Sequence, residues 1–240
     1  MKKTAVLIDA GFLRTFLPTT VGYEALANVI EAFALTCVSI EDGEEIHRIL
    51  YYDCAPYDAD GRRKPHPLDP MRQPTSVGYR NFNNSVLSLL KSKPYFAVRL
   101  GEVSFDGWAL SDKATNEILA QGRAIVADDF HPVLRQKGVD LRIGLDVALM
   151  AKDRLIDRIV VVSGDADIVP AMKVARREGV QVVLASLNHK VKASLREHAD
   201  LYRNVDLQAV VGTLFPGGLP AKPLSARTTR TPSGSAGPPP

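Results

Sequence analysis

The chain contains little cysteine and no long hydrophobic run. Its two cysteines, Cys37 and Cys54, lie in or beside apolar segments and form no thiolate metal motif, which excludes a disulfide scaffold or zinc ribbon and indicates core thiols in a reducing compartment. No segment reaches the roughly 18 apolar residues of a membrane span. The apolar run after the first lysines stops at Asp9, too early for a signal peptide. We therefore expect a cytoplasmic protein without a membrane partner.

The chain also has little net charge of either sign. Its 30 Lys and Arg residues nearly balance 27 Asp and Glu residues, which leaves a formal charge of +3. Lys222, Arg227 and Arg230 carry this surplus in a C-terminal segment without acidic residues. The rest of the chain is close to neutral, which excludes a broad basic surface for nucleic acid but is compatible with a local patch.

The hydrophobic residues occur in short β-branched runs that alternate with segments of helical spacing. The runs predict five strands, at residues 4–8, 46–54, 95–101, 159–162 and 180–185. The helical spacing predicts helices at residues 23–37, 79–92, 140–152, 168–178 and 190–198. This alternation predicts an α/β domain with a mostly parallel sheet, and the pattern leaves the strand order open.

Composition divides the chain into a domain of residues 1–215 and a tail of residues 216–240. The tail is rich in Pro, Gly, Ser and Thr, which predicts disorder. Within the domain, prolines and charges over residues 55–76 predict a loop or flap. Residues 102–128, with Trp108 and a helical pattern from 115 to 127, predict an insertion packed on the core.

Carboxylates are placed where predicted strands end and helices begin. Asp9 follows the first strand, Asp165 and Asp167 follow the fourth, and Asp140 and Asp146 belong to the preceding helix. Ligands bind at the carboxyl ends of parallel strands, and these acids converge there if the first and fourth strands are neighbours. A carboxylate cluster requires a divalent cation or shifted pKa values. Oxygen ligands without Cys or His favour Mg²⁺ or Mn²⁺ over Zn²⁺.

Structural roles compete with this interpretation at several of these positions. Asp140 and Asp167 could each cap the helix that follows. Asp146 comes six residues after Asp140, about 600° along an ideal helix, so both join one site only if Asp140 projects from the helix entrance. The hydroxyl of Ser163 could either satisfy the turn or hold a metal-bound water.

The chain resembles the NYN domain proteins, a branch of the PIN-like nucleases that includes the LabA-like group. The resemblance spans roughly residues 3–206 and rests on four ordered motifs: Ile8-Asp9-Ala10-Gly11-Phe12-Leu13, Tyr51-Tyr52-Asp53, Gln136-Lys137-Gly138-Val139-Asp140 with Asp146, and Ser163-Gly164-Asp165-Ala166-Asp167-Ile168-Val169-Pro170. Two positions depart from the family pattern. Phe12 stands where many members have Asn, and Ile168 where many have Phe.

This resemblance implies a three-layer PIN-like fold whose central strands, numbered as predicted above, have the order 3-2-1-4-5. It also implies metal-dependent ribonuclease activity with Mg²⁺ or Mn²⁺. The catalytic positions it assigns are Asp9, Asp140, Asp146, Asp165 and Asp167. We expect Asp9, Asp140 and Asp165 to hold the metal, directly or through water.

An RNA substrate requires cationic or hydrogen-bonding groups near the acids. The candidates are Arg14, Arg63, Lys64, Arg80, Lys137 and Ser163. The charged residues of the 55–76 flap could instead belong to a solvated loop that does not bind RNA, because nearby aspartates reduce its positive charge.

The leading hypothesis is an endoribonuclease that acts on single-stranded or structured RNA. A non-catalytic RNA-binding or regulatory module with the same fold is the alternative, and a phosphohydrolase of small nucleotides is a third hypothesis. A homodimer is compatible with the sequence.

Overall fold

A computed structural model describes residues 1–18, 21–58 and 64–219. Over these ranges the strands are β1 (Lys2–Asp9), β2 (Glu44–Cys54), β3 (Phe96–Leu110), β4 (Phe130–Lys137), β5 (Arg158–Val162), β6 (Gln181–Ser186) and β7 (Leu201–Asn204). The helices are α1 (Ala10–Arg14), α2 (Tyr23–Thr36), α3 (Val77–Ser92), α4 (Asp112–Gln121), α5 (Val139–Lys152), α6 (Val169–Arg177), α7 (Ala193–Glu197) and α8 (Leu207–Leu214). None of these helices combines the length and hydropathy needed to cross a membrane. Most of the predicted disordered tail, from residue 220 onward, lies outside the described residues.

The strands form one sheet in the order β4-β3-β2-β1-β5-β6-β7. Every neighbouring pair is parallel except β3 with β4. The five predicted strands correspond to β1, β2, β3, β5 and β6, so the order 3-2-1-4-5 is confirmed. The chain proceeds outward in one direction from β1 through β2 and in the other from β5, and the switch point therefore lies between β1 and β5.

Helices cover both faces of the sheet, which confirms the three-layer architecture. In β1, Val6 and Ile8 face a core that includes residues of α1, α2, α3 and α8. The alternate residues Ala5 and Leu7 face a second core with α5, α6 and α7. Because both faces are buried, the central strands are continuous apolar runs rather than alternating ones.

The segment predicted as an insertion begins within the sheet, since residues 102–110 belong to β3. Strand β3 continues to Leu110 and pairs antiparallel with β4, and α4 lies between the two strands. This helix begins at Asp112 and ends at Gln121, earlier than the predicted span of 115–127. The sequence did not indicate β4, because Pro132 and a mostly exposed side-chain pattern are typical of an edge strand. The described part of the flap packs here, where the His66 and Trp108 ring centroids lie 4.5 Å apart.

Helix α5 does not turn its leucines towards the core. Leu141, Leu145 and Leu149 have helical spacing, yet all three side chains are exposed. Ile143 and Val147 are buried in their place. Both stripes satisfy the helical period, so periodicity alone could not distinguish the buried face.

Candidate active site

A cavity of about 590 Å³ opens where β1 and β5 end. Its lining includes Asp9, Asp140 and Asp165, the three residues we expected to hold a metal. They come from the end of β1, the first turn of α5 and the turn after β5. The sheet order brings these distant segments together because β1 and β5 are direct neighbours.

Ser163 connects the two strand ends that carry acids. Its Oγ donates to Asp9 Oδ2 at 3.0 Å and accepts from the backbone N–H of Asp165 at 3.1 Å. Asp9 Oδ1 also accepts from the backbone N–H of Phe12 at 3.3 Å, which caps α1. The Ser163 hydroxyl therefore satisfies the turn and also holds the Asp9 carboxylate in position.

Asp140 does not have the capping role that competed with metal binding. The N-cap of α5 is Gly138, whose φ of 79° lies in the region that favours glycine. Burial raises the pKa of Asp140, and the neighbouring carboxylates of Asp165, Asp167 and Asp9 raise that pKa further. Asp140 therefore shares an electrostatic environment with three other acids.

Asp167 also does not cap the helix that follows it. Helix α6 begins at Val169, and its N-cap, Ile168, makes no side-chain capping bond. Asp165 instead caps the 3-10 turn Ala166–Ile168, since its Oδ1 accepts from the Asp167 N–H at 3.2 Å. Asp167 lies outside the cavity lining and acts on Asp140 only through its charge.

Asp146 is the one predicted acid that the structure places in a separate environment. Its Oδ2 accepts from Tyr52 Oη and from Arg99 Nε, each at 3.0 Å. Burial and the nearby Asp146 carboxylate raise the pKa of Tyr52. Asp146 does not line the cavity. These contacts hold α5 against β2 and β3, and α5 in turn positions Asp140.

The donor chemistry of the cavity suits a hard divalent cation, because Asp9, Asp140 and Asp165 offer carboxylate oxygens. Within the described residues, no three His, Cys, Asp or Glu side chains are arranged to hold a metal ion by themselves. The residues thus fit Mg²⁺ or Mn²⁺ by chemistry, and water molecules would have to complete the ligand shell.

Arg14, predicted to contact substrate, takes part in an internal network. Its Nη2 lies 2.5 Å from Asp53 Oδ2, and its Nη1 donates to Asn83 Oδ1 at 2.7 Å. Burial raises the pKa of Asp53, and the Arg14 charge opposes that rise. Arg14 lies outside the cavity lining.

Arg80, Lys64 and Lys137, three of the other predicted cations, are also not part of the cavity lining. Arg80 pairs with Asp58 at 2.6 Å, and Lys64 Nζ donates to the Asp106 carbonyl oxygen at 2.6 Å. Lys137 is exposed at the end of β4, next to the cavity-lining Gln136 and Gly138. Arg63 lies outside the described residues.

Sequence reasoning missed a second wall of the cavity, which carries no acid. This wall consists of Phe12, of Ser186 at the end of β6, and of the loop that follows, with Leu187, His189, Lys190, Val191 and Lys192. Gly164 allows the Phe12 ring to approach closely, since a Cβ at that position would lie 2.6 Å from two ring carbons. The signal was present in the sequence, because the loop follows a parallel strand as the acidic turns do.

Fold and site together define a three-layer α/β protein with an acidic cavity at the switch point of its sheet. The sequence model of the NYN domain matches residues 3–206 of the chain. The chain belongs to the NYN domain family, which is a family of PIN-like nucleases.

Solved structures resemble the chain only distantly. A Vibrio parahaemolyticus protein of unknown function shares 16% identity over 85% of this chain and 94% of its own, with a TM-score of 0.43. MurG from Acinetobacter baumannii shares 12% identity over 84% of this chain and 41% of its own, with a TM-score of 0.34. No curated protein matches the sequence significantly.

Proposed function

We propose that this protein is a metal-dependent endoribonuclease that hydrolyses RNA phosphodiester bonds. The observation that carries the proposal is the convergence of Asp9, Asp140 and Asp165 on one cavity at the switch point of the sheet. Membership of a nuclease family supports the same chemistry. In this proposal the catalytic group consists of Asp9, Asp140, Asp165 and Asp167. Asp146, which the resemblance also assigned to that group, supports it by positioning α5.

Asp9, Asp140 and Asp165 would hold the Mg²⁺ or Mn²⁺ ion. When bound, such an ion polarises a phosphoryl oxygen and lowers the pKa of a water molecule. The chain's own residues prepare the site. Ser163 and the Phe12 N–H fix both oxygens of Asp9. Burial and then repulsion from the neighbouring carboxylates raise the pKa of Asp140, and a cation would relieve that repulsion.

Two further parts of the proposal concern partner and location. The family supports RNA as the substrate. We place the protein in the cytoplasm, where the free, buried thiols of Cys37 and Cys54 would stay reduced. None of the comparisons supports the homodimer.

The test combines the purified protein with linear and circular single-stranded RNA, in Mg²⁺, in Mn²⁺ and in EDTA. Cleavage of the circle identifies an endonuclease, because a circle has no ends. We expect cleavage only with the cation, and a loss of more than about 100-fold in Asp165→Asn. Asp153→Asn is the matched control, because Asp153 is an exposed carboxylate at the far end of α5.

The possible outcomes separate the three hypotheses. Cleavage that persists in EDTA, or at full rate in Asp165→Asn with the fold intact, would contradict the metal mechanism. RNA binding without turnover in any cation would favour the regulatory module. Mononucleotide hydrolysis in a parallel screen, without RNA cleavage, would favour the phosphohydrolase.

A further inference from the structure

The loop after β6 forms a second wall of the acidic cavity, and this wall carries positive charge. Strand β6 ends at Ser186, and His189, Lys190 and Lys192 follow within six residues. All three line the same cavity as Asp9 and Asp165. The lining of one cavity thus combines carboxylates with two lysines.

Lys190 and Lys192 are available for a ligand. Both are exposed, and neither forms a salt bridge with any residue that the structure describes. The arginines nominated from the sequence differ in this respect, since Arg14 and Arg80 are each paired with an aspartate. Unpaired lysines in a cavity that also holds clustered acids can bind the phosphates of a nucleic-acid backbone that extends across the cavity.

Aromatic rings connect the loop to the first acidic motif. The Phe12 and Phe16 ring centroids lie 5.1 Å apart, and the Phe16 and His189 centroids lie 5.5 Å apart. Both contacts are edge-to-face, and Phe12 and His189 themselves line the cavity. Rings beside a cationic groove are the arrangement that binds unstacked bases of single strands. A paired base in a duplex could not lie against these rings.

From these observations we propose that Lys190, Lys192, His189 and Phe12 form a subsite for one single-stranded nucleotide adjacent to the scissile phosphate. The two lysines bind the backbone phosphate of that nucleotide, and His189 and Phe12 contact its base. This subsite rests on the proposed ribonuclease function and assigns its substrate class as single-stranded RNA. It also explains how Phe12 can serve the site where many family members have Asn.

The experiment measures binding of fluorescein-labelled single-stranded RNA by anisotropy at several salt concentrations, with Mg²⁺ present. The Asp165→Asn protein is the background, so that cleavage does not consume the probe. Adding Lys190→Ala and Lys192→Ala should weaken binding about tenfold. It should also reduce the salt slope, the steepness with which the logarithm of the binding constant falls with the logarithm of the salt concentration, by about 1.4, the value for two lost phosphate contacts on a single strand. His189→Ala alone should weaken binding about fivefold through lost stacking.

The control carries Lys91→Ala and Lys152→Ala in the same background. These lysines are exposed near the C-terminal ends of α3 and α5, at the edge of the sheet opposite the cavity. The control should keep the parent affinity and salt slope. Equal weakening in the control and the loop variant, an unchanged affinity in the loop variant, or tighter binding of a duplex with the same sequence would overturn the subsite.

Cleavage assays separate failure of the subsite from failure of the proposed function. If the protein cleaves RNA but Lys190→Ala with Lys192→Ala leaves KM unchanged, the subsite is wrong and the function stands. If the protein never cleaves RNA, yet the loop variant loses affinity and salt slope as expected, the loop binds single-stranded RNA but the proposed ribonuclease function is wrong.

Discussion

Replacing Glu44 with Gln should destabilise the protein strongly at neutral pH and weakly in acid. Glu44 begins β2, and its side chain is fully buried. It pairs with the equally inaccessible Arg158 of β5 and with Arg203 of β7, whose Nη2 lies 2.7 Å from Glu44 Oε1. The carboxylate therefore connects three strands of the sheet, and Gln keeps its shape while removing its charge.

The size of the effect follows from the pKa of Glu44. Burial alone would raise this pKa, but hydrogen bonds from Arg203, the Ser39 backbone and Arg158 outweigh burial and lower it from 4.5 to about 2. This difference corresponds to about 3 kcal/mol of folding free energy at pH 7. It agrees with the roughly 3–5 kcal/mol lost when one partner of a buried ion pair is removed.

The direction of the pH dependence follows from the pKa of Glu44, which is lower in the folded protein than in the unfolded chain. The stabilisation from Glu44 is fully present above its unfolded pKa of 4.5 and is lost as the pH falls from 4.5 towards 2. This stabilisation is measured by urea unfolding, monitored by circular dichroism, at pH values from 7 down to about 3.5. The free-energy gap between wild type and Glu44→Gln should be largest at pH 7 and should narrow below pH 4.5.

Asp42→Asn is the matched control, because Asp42 contacts the same Arg203 at 3.4 Å but is 62% exposed. Its loss should cost less than about 1 kcal/mol, as is usual for surface pairs. If the free-energy gap between wild type and Glu44→Gln stays constant across the pH range, the stabilisation does not come from the charge of the Glu44 carboxylate.

Two further predictions concern residues around the cavity. Gly164→Ala should reduce the free energy of unfolding by about 1–3 kcal/mol, because the new Cβ would overlap the Phe12 ring. Adding Phe12→Leu should relieve most of that loss. If urea unfolding instead shows that the losses of the two single variants add up in the double variant, the clash is contradicted. Tyr52→Phe should cost about 1.5–3 kcal/mol, because the buried Tyr52 hydroxyl donates to the charged Asp146. A double-mutant cycle with Asp146→Asn measures that coupling, and a coupling near zero would count against the role of Asp146 in holding α5.

Local sequence patterns predicted much of the sheet correctly. The β-branched run at 159–162 is buried on both faces, and its composition alone indicates this. Edge elements were harder to predict, because β4 contains Pro132 and β7 has only four residues. Short or half-exposed strands depend on a neighbour for their hydrogen bonds, and that neighbour is not visible in the local sequence.

Among the described residues, fewer of the predicted cations than of the predicted acids line the cavity, for a physical reason. An acid that follows a buried strand is constrained by the strand end, and Asp9 and Asp165 lie at the cavity as expected. A long arginine side chain instead pairs with whichever carboxylate the fold brings within reach. Arg14 reaches Asp53, 39 positions along the chain, and so is not free for substrate.

The sequence by itself determined which residues can do chemistry, because strand runs and turn residues place carboxylates at the ends of parallel strands. Only the tertiary structure decided which of them share a site. The adjacency of β1 and β5 brings Asp9 and Asp165 together, and the start of α5 at Gly138 adds Asp140. Asp146 lies outside the cavity lining, because it contacts Tyr52 of β2 and Arg99 of β3 instead. That partition depends on packing between distant segments, which no local pattern records.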